Sequence, residues 1–259
     1  MNPRSILRPI PRPTLRTVLL VLLLPTLFLS PQLSAETFIS VEGAGLWQTR
    51  NDQRIPGVGG TLISLSDIDS GPFAVYRATL SHRFGERHQI RALYAPLSAT
   101  VTGQFGSTVT FMDGSFAANT TTEALYRFNS YRLTYAYHFD QTGPWTFAFG
   151  FTGKIRDAEV RLTQGALTRS KTNVGFVPLL NFQARRELGS SWAFTADLDG
   201  LAAPQGRAFD LALFLERDLE LAGLRAFGGY RMLEGGADND EVYNFAWLHY
   251  ATLGLKAAF

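Results

Sequence analysis

The chain has no cysteine in its 259 residues. That excludes a disulfide framework and any thiolate metal site. Long hydrophobic runs are also missing. The longest, Val18 to Leu29, is interrupted by Pro25. As a helix its twelve residues reach only about 18 Å, short of the hydrocarbon core of a bilayer at about 30 Å. No later segment approaches eighteen consecutive apolar residues, so helical spans are excluded there. Nor does one sign of charge dominate. The 24 Lys and Arg nearly balance the 22 Asp and Glu, and Arg4, Arg8, Arg12 and Arg16 all precede the first acidic residue, Glu36. Beyond them 20 basic and 22 acidic residues remain, so net charge gives no case for nucleic-acid binding.

Residues 1–35 read as a secretory signal peptide. The four arginines form a basic start, Val18 to Leu29 the apolar centre, and Leu33-Ser34-Ala35 a small-residue cleavage site before Glu36. A retained N-terminal anchor is the rival reading. No cysteine follows the cleavage site, which excludes lipoprotein processing. Residues 36–259 then form one domain without a linker or low-complexity run.

What that domain does have is alternation. Trp145, Phe147, Phe149, Phe151 and Ile155 share one face of a strand, and Thr146, Ala148, Gly150, Thr152, Lys154 and Arg156 share the other. The same period of two runs through Tyr131–Phe139, Trp192–Asp199 and Phe209–Glu216. It predicts ten strands at 37–48, 73–84, 88–102, 124–139, 144–157, 171–187, 191–201, 206–219, 223–234 and 244–259. Short turns near residues 85–87, 141–144, 189–191 and 221–223 alternate with longer polar stretches at 49–72, 103–123, 158–170 and 235–243, and a compact one at 202–206. Pro96 and Pro178 are awkward inside a ladder. The count falls to eight if one hairpin lies outside the barrel, and rises to twelve if 59–66 or 158–164 pairs as well.

The chain ends on Phe259, behind which Leu255, Leu253, Ala251, Trp247 and Phe245 form an apolar face, with Lys256, Gly254, Thr252 and Tyr250 between them. This resembles the closing strand of bacterial outer-membrane β-barrel proteins. No specific subfamily is identified. The resemblance implies an all-β fold, a transmembrane antiparallel up-and-down β-barrel, with both termini on the periplasmic side. It implies localisation in the outer membrane after export through the secretory pathway, among outer-membrane lipid and lipopolysaccharide. It makes Phe259 the assembly signal read by the barrel-insertion machinery. A soluble lipocalin-like barrel is the rival, and would turn the aromatic face inward.

A charge on the lipid face at mid-bilayer costs about 2–4 kcal/mol, so the charged positions are expected in the lumen. Lys154, Arg156, Asp197, Asp199, Asp210 and Arg231 are the candidates for a constriction in the outer third. The expected function is a narrow or plugged charged lumen, structural or serving passive solute or ion passage. A surface hydrolase of protease or lipid A-modifying type and a loop-based adhesin using 49–72 or 103–123 are the alternatives. For the hydrolase, His82, His88 and His138 fall at the wrong end, leaving His249 with Asp238 or Asp240. The acidic loop 234–241 has three calcium-type carboxylates, Asp238, Asp240 and Glu241, without the spacing of a calcium loop. Gly57-Val58-Gly59-Gly60 lacks the strand-to-helix context of a phosphate loop. No catalytic residue, cofactor or metal ligand is assigned.

Overall fold

The computed structural model describes residues 36–259 apart from 205 and 222. The expected signal peptide, 1–35, lies outside the described residues. Ten strands form the wall: β1 (Glu36–Arg54), β2 (Phe73–Phe84), β3 (His88–Ala95, continued as Ser98–Gln104), β4 (Thr121–His138), β5 (Trp145–Gln164), β6 (Leu167–Glu187), β7 (Trp192–Ala203), β8 (Gly206–Leu221), β9 (Leu224–Asp238) and β10 (Tyr243–Ala258). Every neighbouring pair is antiparallel, and β10 returns to β1 from Phe38 opposite Ala258 to Arg54 opposite Tyr243. The sheet is therefore closed, which removes its edges. Phe259 completes the seam through its backbone, with N–H to Thr37 oxygen at 2.8 Å.

The faces follow the alternation. Phe147, Phe151 and Ile155 point outward while Ala148, Thr152 and Lys154 are buried inside. Leu133, Tyr135, Leu215, Trp247, Leu253 and Leu255 continue the apolar exterior around the wall. Pro96 sits in the two-residue break of β3, so the ladder is interrupted where its missing N–H would have been needed.

The segment 158–170, expected as a loop, is strand. β5 and β6 stay paired from Arg186 opposite Trp145 up to Leu167 opposite Gln164. A two-residue turn with Gly165 at φ +58 joins them. Residues 158–164 thus lengthen an existing strand and leave the count at ten. β1 likewise runs on through Arg54, and a bulge at Thr49 shifts its register against β10. Within 235–243 only Asn239–Val242 lie outside strands.

The long connections at the end away from the termini fold inward as a cap. Val109–Phe111 and Gly114–Phe116 form a small hairpin. Phe111 and Phe116 pack with Ile55, Ile63, Leu65 and Val109 onto wall residues Leu46, Val101, Ala124, Leu162 and Leu248. Met112 N–H donates to Ile55 oxygen at 2.8 Å, which ties the hairpin to the β1–β2 connection. Gln164 of β5 binds both the N–H and the oxygen of Ala117. At the hairpin tip Arg169 bonds Asp113 at 2.6 Å and holds its carboxyl below the usual carboxylate range. That contact is complete above the unfolded carboxyl's range and loosens as pH falls through the depressed one.

Candidate functional site

A charged partition crosses the lumen between the cap and the terminus end. Asp210 of β8 is its centre. Its carboxylate meets Arg132 of β4 at 2.6 Å, Arg231 of β9 at 2.7 Å and Arg77 of β2 at 3.3 Å. Arg132 also binds Asp199 of β7 at 2.8 Å. Glu42 of β1 meets Arg77 at 2.8 Å and Arg231 at 3.1 Å. The contacts run from wall to wall through six strands. Asp199 is further held by Thr152 at 2.7 Å and Asn181 at 2.8 Å. Asn181, fully buried, also donates to Asp197 at 2.9 Å, and Asp197 pairs with Arg91 of β3.

Strand geometry explains how the sequence assembles this set. Each contributor occupies an inward position, and the neighbours two residues away on the same strands, such as Thr134 and Ala212, are also buried. Buried ions are tolerable only when opposite charge and hydrogen bonds replace water. Here four arginines, 77, 91, 132 and 231, face four carboxylates, 42, 197, 199 and 210.

Three of the six expected constriction residues, Asp199, Asp210 and Arg231, stand in this one network. Asp197 joins it through Asn181. Lys154 is buried beside it with Nζ 4.6 Å from the Phe128 ring centre, and makes no ion pair among the described residues. Arg156 lies beyond the partition in the far-end cavity and bonds Asn173. Glu42 and Asn181 are additional members. Their inward parity on strands of the expected register was the available signal.

Lys154 is the surplus cation of an otherwise balanced set. Lys154→Met keeps the apolar stem and removes a buried charge without a carboxylate partner. It should stabilise the fold, because an unpaired buried ammonium costs more than the apolar group that replaces it, read as a higher urea midpoint of tryptophan fluorescence in detergent. A lower midpoint defeats this assignment.

Cavities lie on both sides of the partition. The one towards the terminus end is about 210 Å³, lined by Arg83, Gln89, His138 and Lys256 among others. The other, at the far end, is about 820 Å³. His249 does not form the rim arrangement considered for a hydrolase. It lies on the exterior, its ring nitrogens 2.6 Å from the Tyr230 hydroxyl and 2.9 Å from that of Thr49. Of the loop carboxylates, Asp238 faces Arg54 at 4.0 Å and Glu241 faces Lys171 at 3.3 Å, so they turn to different cations.

No protein-family model and no curated protein sequence matches the chain. Solved structures do. The outer membrane protease OmpT from Escherichia coli aligns over 89% of this chain and 99% of its own, with TM-score 0.50 and 10% identity. The attachment invasion locus protein Ail of Yersinia pestis covers 87% of this chain and 99% of its own, with TM-score 0.39 and 8% identity. The translocator domain of autotransporter NalP from Neisseria meningitidis covers 89% and 91%, with TM-score 0.41 and 11% identity. At such identities the likeness concerns architecture, and the names of these three proteins point to different roles. The closed ten-stranded wall, its apolar exterior and its polar filling give this chain the fold of the bacterial outer-membrane β-barrel proteins.

Proposed function

We propose that the protein is a plugged outer-membrane barrel, structural in character, that does not conduct solutes. On this reading residues 1–35 direct export, Phe259 serves the insertion machinery, and the termini face the periplasm. The apolar exterior then meets lipid, with lipopolysaccharide around the far end.

One observation carries the reading: the wall-to-wall network centred on Asp210. Three arginines converge on one carboxylate, and moving any of them aside strands a buried charge. A ten-stranded wall leaves little width once long side chains fill it. The cap covers part of the far end with an apolar cluster, on the side of β1, β3, β4 and β10.

Planar bilayers containing the folded protein should show no single-channel steps. Regular steps whose size changes in Asp197→Ala would sink the plugged reading and favour passive passage. The hydrolase alternative receives no support from the histidines, since His249 is bonded outside the barrel and His138 bonds Gln89 at 3.1 Å in the opposite half.

A further inference from the structure

Strand β6 outlasts its neighbour. Its ladder with β7 ends at Leu180 opposite Gly200, yet β6 continues to Leu167 paired with β5 alone. β7 runs on to Ala203 paired only with β8. The wall therefore has a gap, among the described residues, between the free edge of β6 and the end of β7 at Leu201–Ala203. Its lower corner lies within the apolar exterior. Outward from Phe182 the series continues through Pro178 to Phe176 and Val174, which are 66% and 70% exposed. Unpaired strand edges are not stable against hydrocarbon unless they line a polar or water-filled space. Pro178 removes one donor from that edge, which accounts for its place in a long strand.

Behind the gap lies the 820 Å³ vestibule, within the roughly 300–1,000 Å³ usual for small-molecule sites. Phe128, Val177 and Leu201 supply apolar lining. Arg156, Lys171 and Arg207 supply positive charge and Glu159, Asp240 and Glu241 negative charge, with Glu159 paired to Arg127 and Arg207 to Glu234. Arg156 has no carboxylate partner among the described residues, and its Nε is buried without an acceptor. Among the described residues Lys171 pairs with Glu241, whose side chain is largely exposed.

We propose that this gap is a lateral window at which a single-chain anionic amphiphile of the outer leaflet, a fatty acid in chemical class, enters the vestibule. Its carboxylate binds Arg156, and its chain passes Val177 and Pro178 into the bilayer. The charge complements the unpaired guanidinium, and the headgroup and accompanying water satisfy the strand edge. The proposal rests on the membrane placement given above.

The test uses the full folded barrel in lipid nanodiscs and palmitate carrying a diazirine, photolysed and mapped by peptide mass. Adducts are expected on Phe128, Val177 and Leu201. They should fall at least about tenfold in Arg156→Glu, where a charge-assisted contact becomes repulsion. The matching alcohol probe should label the vestibule as weakly. Leu201→Trp, which fills the cavity, should block labelling without touching Arg156. The gel shift between unboiled and boiled samples identifies the folded variants, and the alcohol probe and Leu201→Trp decide if Arg156→Glu does not fold. Adducts confined to outward Phe182 and Leu213 overturn the window while leaving the membrane placement standing. Equal vestibule labelling by acid and alcohol overturns the role of Arg156. No adducts even at Phe182 overturn the membrane placement itself.

Discussion

Arg132→Met should cost the barrel about 3–5 kcal/mol of folding stability, the range for removing one partner of a buried ion pair. Arg132 is 5% exposed and holds two carboxylates from two different strands, Asp199 at 2.8 Å and Asp210 at 2.6 Å. Methionine fills the space without replacing the charge. Asp210 keeps Arg77 and Arg231, whereas Asp199 is left with the neutral donors Thr152 and Asn181. Asp199 should therefore account for most of the loss. The double variant Arg132→Met/Asp199→Asn should then be more stable than the sum of the two single changes requires, since the stranded carboxylate is gone. Urea titration of tryptophan fluorescence in detergent measures all three. A loss below about 1 kcal/mol for Arg132→Met, as for a solvent-exposed pair, would show that water reaches the partition.

The second large effect concerns the cap. Phe116 is fully buried and meets Phe111 edge-on with ring centres 6.4 Å apart. Phe116→Ala should remove about 3–5 kcal/mol from whatever unit contains it. That unit is the cap, because Phe116 lies on the small hairpin outside the closed sheet. The barrel's urea midpoint should stay put while the cap opens on its own. Protease added to the folded protein should then cut within 105–120 at least about a hundredfold faster than in wild type. A fall in the global midpoint with unchanged cleavage would mean that cap and wall unfold together.

The wall was legible in the sequence because lipid and lumen impose opposite chemistry on a period of two. Trp145 to Arg156 displays both faces within a dozen residues. The region 158–170 looked like a loop for a physical reason. Beyond Arg156 the period persists but the polarity reverses: Val160 and Leu162 turn inward against the cap, while on the other face Asp157 and Arg161 stand beside Glu159, which Arg127 and Arg161 cover. Where the strand rises past the lipid, water replaces hydrocarbon outside and an apolar cap replaces charge inside. A reading that seeks ions inside and rings outside stops there. The cap was unreadable for another reason. Ile63, Leu65, Val109 and Phe116 are scattered through polar stretches, and their partners are distant in sequence. The candidate site was readable by parity, which gave Asp199, Asp210 and Arg231 a common side. Which cation meets which carboxylate depends on strand stagger around the barrel, and so Lys154 and Arg156 fall outside the network.

The bulge at Thr49 sets the phase of β1. The one additional residue lets Gln48 face the interior and Asn51, Gln53 and Ile55 do so again, while Arg50 and Arg54 stay outside against Phe245 and Tyr243. An odd-numbered insertion or deletion in this strand exchanges its two sides from that point onward. Length changes there are tolerable only in even steps, or in compensating pairs, and this one strand is therefore far less free to drift in length than the turns that join the others.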